Sequence, residues 1–558
     1  MAGKQQIKFV IIFGIINLLF WNCANQLSPP GGEIDKIPPQ IISSYPENGK
    51  TNFSDNIVEF TFSEYVNKRN INDAFFISPI LENIPEFSWT NKTVEINLNE
   101  KLKENTTYSI VIGTEISDMN NNNKMIEPFI LTFSTGSKID SGIISGRVFA
   151  EKVDGTMIFA YNKNADTLNI FKNKPDYVSQ VNKNGEFRIN GLGNGTYELF
   201  AVKDEFKNLV YDKGEDQIGY STKSIVIADS LNQIEDINFF LFKEDTLSPN
   251  FQAITMTDKN HIVVEFNEPI DSSKLSANNF SIIDSTQNSI FEIKKIYKGK
   301  PSKSEYILCI SDSLNIENNI YLIAKNIFDL SKNEMISQSI NFTPSEKADT
   351  NYIKISKINT LFNSSTIDYQ SPNFSIIFSD AFSISDLPKS ITFLDPDSNI
   401  VPYTFSNLDD ASINIIPEND LKPKSIYKLK IDFSNIIDLA GNKIDTVILN
   451  KINTISNMEF SGVSGVVKTK KKNTKVVLND LENKQSKIQK EVRKDGKFEY
   501  DRLNPGKYLL WIYNDSDSNN VYSFGSFDSL KYSEEFKFYP DTLNLRPRWP
   551  VGDIEIEF

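Results

Sequence analysis

Val58-Glu59-Phe60-Thr61-Phe62-Ser63-Glu64 alternates apolar and polar side chains and ends on an acid. The pattern returns as Ile262-Val263-Val264-Glu265-Phe266-Asn267-Glu268 and as Phe374-Ser375-Ile376-Ile377-Phe378-Ser379-Asp380. Successive side chains of a strand point to opposite faces, so Val58, Phe60 and Phe62 share one face, as do Ile262, Val264 and Phe266, and Phe374, Ile376 and Phe378. Around each copy, short alternating runs recur roughly every eight to twelve residues, with Asn, Asp, Gly and Pro between them. That spacing predicts an all-β chain of sandwiches, and sustained helical periodicity is hard to find beyond the N-terminus.

Each copy is followed by a tyrosine-led strand that runs into an Asp-containing turn: Tyr108 to Asp118, Tyr321 to Asp329, and Tyr427 to Asp438. In the third, Asp438-Leu439-Ala440-Gly441-Asn442, Gly441 can take positive φ and Asp438 can bond its own backbone. The second lacks the Gly-Asn pair. A different repeat occurs twice. Val181-Asn182-Lys183-Asn184-Gly185-Glu186-Phe187 matches Val492-Arg493-Lys494-Asp495-Gly496-Lys497-Phe498, and both predict two-residue hairpin turns. A Gly-x-Tyr strand follows each (Tyr197, Tyr508), and a glycine-bearing strand precedes each, Ser141 to Val148 and Ser461 to Val467. The order is therefore A–B–A–A–B, in units of about 100 residues, an ordinary domain size. The expected boundaries are a leader at 1–22, a tether at 23–36, A units at 37–137, 246–347 and 348–457, and B units at 138–245 and 458–558.

The leader carries Lys4 and Lys8, then the apolar run Phe9 to Trp21, then Asn22-Cys23-Ala24-Asn25. A basic start and a short apolar stretch have the shape of an export signal, since a spanning helix needs about 20 apolar residues. Leu19-Phe20-Trp21-Asn22 before Cys23 resembles a bacterial lipoprotein lipobox, departing from it at Trp21 and Asn22. The resemblance implies cleavage before Cys23 and acylation of its thiol. Multiple acyl chains then give stable membrane attachment, where one gives only reversible binding. An uncleaved anchor or an ordinary signal peptide is the alternative. Ser28-Pro29-Pro30-Gly31-Gly32 reads as a tether.

Composition narrows the classes further. The 558 residues exceed one core, and 40 Phe with 21 Tyr can supply several. A formal net charge of −14 excludes nucleic acid as the natural partner and makes the lipid the route to the membrane. With Cys23 acylated, Cys309 is the remaining cysteine and reads as a small buried hydrophobe. His261 is the sole histidine, which weakens zinc-hydrolase and Ser-His-Asp readings. Gly49-Lys50-Thr51 lacks the upstream glycine of a phosphate-binding loop.

The A units resemble bacterial Ig-like domains of the S-layer-protein class, through Pro38-Pro39 to Gly49 at the opening and Phe129 to Gly136 at the close. The B units are similar to prealbumin-like or carboxypeptidase-regulatory-like sandwiches, through Asn-Gly-x-Phe and Gly-x-Tyr. With Cys23-Ala24-Asn25 and the tether, the ensemble resembles Ig-like-domain lipoproteins of the Bacteroidetes. The resemblance implies an architecture and an envelope location; the outer membrane is favoured because Ala24 is not an acidic retention signal, and a periplasmic facing because no acidic run follows Cys23. It brings no activity.

Two further expectations concern loops. Asp204, Asp212 and Glu215 in the first B unit, and Asp515 and Asp517 in the second, offer hard oxygen ligands suited to calcium, with Phe206 where a further ligand belongs. Solvated acidic loops are the alternative. Asp-Ser/Thr-apolar triplets place candidate O-glycosylation at Thr167, Ser230, Thr246, Ser285, Ser313, Thr446, Ser529 and Thr542, resembling the acceptor sequence of exported Bacteroidetes proteins; turn chemistry is the alternative. The sequence thus favours a non-catalytic, lipid-anchored envelope protein with no cofactor beyond calcium, whose partner is an envelope protein or glycan. An envelope glycan hydrolase using loop carboxylates, or an adhesin-like binding module, is the rival.

Overall fold

The computed structural model describes residues 35–163, 169–300, 304–360, 366–383, 387–482, 487–527 and 531–558. The leader, Cys23, the Pro-Pro-Gly-Gly tether, Thr167 and Ser529 lie outside the described residues. The chain divides into two compact units, one holding residues up to 210 with 224–239, the other 211–223 with 240–558. No helix among the described residues is long and apolar enough to cross a membrane.

The chain is all-β, and the repeat strands sit where their alternation requires. In the first A unit one sheet orders Ile41–Tyr45, Ile57–Phe62, Thr93–Asn97 and Glu86–Thr90, and a second orders Phe75–Ser78, Thr107–Ile112 and Phe129–Ser134. Val58, Phe60 and Phe62 are fully buried and join Tyr108, Ile110, Leu131 and Phe133 of the second sheet in one core. Full burial of such side chains stabilises by about 1.5–3 kcal/mol each.

The second A unit repeats the plan, with Phe251–Asp258, His261–Phe266, Glu305–Cys309 and Lys295–Lys298 in one sheet and Ser289–Glu292, Phe280–Asp284, Ile320–Phe328 and Glu334–Phe342 in the other. So does the third, with Ile355–Thr360, Phe374–Phe378, Ser412–Pro417 and Tyr403–Asp409 against Thr366–Ile367, Val447–Thr454, Ile426–Asp432 and Ile391–Leu394. Each has its own core. In all three the repeat strand is the second strand of its sheet. Tyr108 and Tyr427 are buried, and their hydroxyls accept from Lys103 N at 2.9 Å and Lys422 N at 2.8 Å. Tyr321 differs: the register turns Ile320, Leu322 and Ala324 inward and leaves Tyr321 on the outer face.

The B units differ from the hairpin expectation. Gly185 N donates to Asn182 O and Gly496 N to Arg493 O, so each glycine is the fourth residue of a turn, at φ 81° in both. The flanking strands lie in different sheets, Tyr177–Gln180 with Met157–Asn162 but Glu186–Leu192 with Gly142–Phe149. Likewise Lys487–Glu491 pairs Thr474–Asp480, whereas Lys497–Leu503 pairs Ser461–Lys468. The turn is therefore an arch between layers. A neighbouring strand closes over it: Val148 N bonds Gly185 O and Val467 N bonds Gly496 O, both at 2.8 Å. The Gly-x-Tyr strands also match, since Tyr197 OH donates to Gly193 O and Tyr508 OH to Asn504 O.

Candidate functional site

The acid that ends each repeat strand meets the aspartate of the turn after the tyrosine-led strand, together with an aspartate on the segment that enters the unit. Asp35, Glu64 and Asp118 bring carboxylate oxygens within 4.8 Å of one another, as do Asp245, Glu268 and Asp329, and Asp349, Asp380 and Asp438. The turn that carries the last member is held the same way each time. Asn123, Asn333 and Asn442 donate their Nδ2 to Asp118, Asp329 and Asp438, at 2.7, 2.9 and 3.0 Å. The residue before each asparagine has positive φ, 56° at Asn122, 74° at Lys332 and 87° at Gly441. The second unit thus keeps the turn that its missing glycine had argued against.

Clustered carboxylates raise the cost of ionising one another. Burial, then the charges of Asp118 and Asp35, push Glu64 up. Burial, then Asp245 and Asp329, push Glu268 up, and burial with Asp380 and Asp349 does so at Asp438. All three members of the third cluster are buried, whereas the first two clusters are more open.

The third cluster also receives a base from the preceding sandwich. His261, at the start of its strand, places Nε2 3.0 Å from Asp380 Oδ1 and Nδ1 2.9 Å from Asp258 Oδ1. Asp258 is held in turn by the backbone N–H groups of Asn260 and His261, at 3.0 and 3.1 Å. Tyr297 OH donates to Asp380 Oδ1 at 3.4 Å. Cys309 lies directly opposite His261 across the strand pair. Burial pushes the imidazole down, but its bonds to Asp258 and Asp380 outweigh this and hold it above its usual value. Burial opposes charge on Asp258 too, and the His261 and Asn260 bonds reverse that, holding the carboxyl low. Burial pushes the Cys309 thiol up.

Chemically, the first two clusters offer oxygen donors only, the choice of a hard cation, whereas the third adds nitrogen and sulfur. The sequence-expected calcium loops are built differently. Asp204 accepts from Asn208 N at 3.2 Å and Leu209 N at 2.8 Å. Asp212 and Glu215 belong to a turn in which Glu215 N bonds Asp212 O and Asp212 N bonds Asp216 Oδ2. Asp515 accepts from Asn519 N and Asn520 N, and Lys475 Nζ stands 3.7 Å from it as a built-in cation. Asp517 accepts from Asn519 and Ser523. A calcium ion at either loop has these turn bonds to compete with. Of the triplet hydroxyl residues, Ser230, Thr246, Ser285, Ser313 and Thr542 are exposed in turns or connections, and Thr446 is half-buried.

What sequence reasoning missed is the convergence: Asp258, Asp349 and Asp380 reach His261 across two sandwiches. The recurrence of an acid at each strand end and an aspartate in each later turn was the available signal.

Residues 35–135 and 349–461, the segments that carry the first and third clusters, match the bacterial Ig-like domain family. No curated protein matches the chain. Among solved structures, the chain is similar to the N-terminal part of the bacterial S-layer protein SbsC, at 14% identity over 38% of this chain and 45% of that one, with a TM-score of 0.17. It is also similar to SbsC domains 1–6, at 9% identity over 91% of this chain and 67% of that one, TM-score 0.15. BcpA, the major pilin subunit of Bacillus cereus, matches at 10% identity over 75% of this chain and 99% of that one, TM-score 0.14. The chain spans less than half the length of the first of these structures.

Proposed function

We propose that the chain is a non-catalytic, lipid-anchored envelope protein whose A and B sandwiches act as spacers and binding modules for another envelope protein or a glycan. In this reading Cys23 carries the acyl chains at the outer membrane, and the tether stands the modules off it. The observation that carries the non-catalytic part is the state of the chemical side chains. His261, Asp258, Asp380 and Cys309, the groups best suited to acid–base or nucleophilic work, are buried at a junction between sandwiches, His261 bonded to both aspartates and Cys309 opposite it across the strand pair. A catalytic base needs hydrogen-bond reach to a substrate proton, and burial between modules opposes that. O-glycosylation at the exposed Asp-Ser/Thr triplets belongs to the same proposal, as does calcium at the B-unit loops.

Mass analysis of the native N-terminus tests the anchor. Acylated Cys23 is expected, with Cys23→Ala releasing the protein or blocking its processing. An unmodified Cys23 within a longer mature chain would overturn the reading. Depolymerisation of purified envelope glycans by the chain, abolished by exchanging one exposed loop carboxylate, would replace it with the hydrolase.

A further inference from the structure

Buried charge is tolerated where it is paired or bound to a metal. At the junction between the second and third A units, three buried aspartates, Asp258, Asp349 and Asp380, come within reach of one imidazole, and a fourth, Asp438, lies beside Asp349 and Asp380. Three different donor types converge there: His261 nitrogen, Cys309 sulfur and an Asp380 oxygen lie within 4.8 Å of one another. All three residues are buried, Cys309 completely. They come from separate segments, the strand His261–Phe266, the strand Glu305–Cys309 and the residue two beyond Phe374–Phe378, so two sandwiches contribute.

We propose that this junction is a binding site for a divalent transition metal, zinc by its donor set, held by His261 Nε2, Cys309 Sγ and the Asp380 carboxylate. Imidazole, thiolate and carboxylate are the zinc ligands, whereas calcium and magnesium take oxygen alone. The imidazole is oriented as such a ligand is elsewhere: one ring nitrogen is fixed by a carboxylate, here Asp258 on Nδ1, leaving Nε2 on the side of Asp380. Without metal, Nε2–H bridges to Asp380 and Cys309 keeps its thiol proton. Binding releases both protons, while Nδ1–H stays on Asp258. The exchange of two protons for one dication leaves the net charge of the site unchanged and places the positive charge between the neutral imidazole, the thiolate and the Asp380 carboxylate. Water completes the coordination.

The experiment uses the purified full chain, freed of metal with a chelator, then titrated with zinc chloride and, separately, calcium and magnesium chloride. Binding of one zinc per chain is expected, with higher thermal stability of the unit holding residues 240–558; any response to calcium or magnesium is expected to be the same in Cys309→Ser and in the unmutated chain. Cys309→Ser preserves size and leaves the Asp258–His261–Asp380 bonds intact; it is expected to weaken zinc binding at least tenfold. Cobalt(II) added to the unmutated chain gives a second readout, a thiolate-to-cobalt charge-transfer band, which needs no variant to fold. Absence of stoichiometric zinc binding, binding undiminished by Cys309→Ser, or a cobalt complex without the thiolate band overturns the site. None of these outcomes touches the lipid anchor, so the two readings fail separately.

Discussion

Asn333 Nδ2 donates to the main-chain carbonyl of Asp245 at 3.1 Å while also reaching Asp329 Oδ2 at 2.9 Å. Asn123 does the same to Asp35 O at 3.0 Å, and Asn442 to Asp349 O at 3.3 Å. One side chain thus ties the entering segment of each A unit to the turn that closes its far strand pair. Removing the amide takes this donor from the carbonyl and one of two donors from the carboxylate, which keeps the backbone N–H of the same residue. Asn333→Ala and Asn442→Ala are expected to cost about 1–2 kcal/mol each, read as a lower unfolding temperature of the affected unit. Wild-type unfolding in both variants would show that the tie is dispensable.

Lys332 occupies the left-handed region at φ 74°, where the third unit has Gly441. A side chain there costs about 1–2 kcal/mol, and glycine returns roughly half of the gain through its freer unfolded chain. Lys332→Gly is therefore expected to stabilise the second unit by about 0.5 kcal/mol, and Lys332→Val to destabilise it. Chemical denaturation checks both signs.

The glycine-bearing strands of the B units answer to close backbone approach. A Cβ at Gly146 would stand 1.8 Å from Ile237 O, and one at Gly465 would stand 2.3 Å from Ile554 O. Neither carbonyl can retreat without breaking its sheet. Gly146→Ala and Gly465→Ala are expected to destabilise by about 1–3 kcal/mol, and to enhance hydrogen exchange in the three-stranded sheet of each unit.

Alternation made the cores legible, because a buried face leaves a period of two in the residues themselves; Phe60, Val264 and Ile376 all land fully buried. Register was not legible. Tyr321 reads like Tyr108, yet a one-residue phase difference turns it outward. The arch at Gly185 reads as a hairpin because both need glycine at positive φ, and sequence does not say which sheet the next strand joins. The recurring acids were visible, but their meeting was not: His261 and Asp380 are 119 positions apart and touch only because one sandwich abuts the next.

Glu64 and Glu268 give a pH test. Both carboxyls are held above their unfolded value, 4.5, by partial burial and two neighbouring aspartates. A raised folded pKa means the folded state binds the proton more tightly. Their ionisation therefore opposes folding at neutral pH, and that opposition fades as pH falls through the raised folded value towards 4.5. In chelator, Glu64→Gln and Glu268→Gln are expected to raise the unfolding temperature at pH 7 and to lose the advantage near pH 4. A loss of stability at pH 7 would show that these carboxylates serve as partners rather than strained neighbours.

Arg502 joins the third A unit to the second B unit through a paired geometry. Its Nε donates to Asp368 Oδ2 at 2.6 Å, Nη2 donates to Asp368 Oδ1, and Nη1 donates to Asn457 Oδ1 at 2.6 Å. The guanidinium lies 4.1 Å from the Phe460 ring and 4.7 Å from the Tyr369 ring. A planar fork can meet two carboxylate oxygens and stack at once, which an ammonium cannot. Arg502→Lys keeps the charge yet is expected to cost about 1–3 kcal/mol, because Asp368 is buried and loses one of the two N–H groups that Arg502 gives it, keeping Gln370 N. Hydrogen exchange around Asp368 and Asn457 should quicken in the variant while the core strand Phe374–Phe378 stays protected. Equal exchange in Arg502→Lys and the unmutated chain would assign the junction to charge alone; a change shared by Phe374–Phe378 would mean that the unit itself, and not its junction, had been weakened.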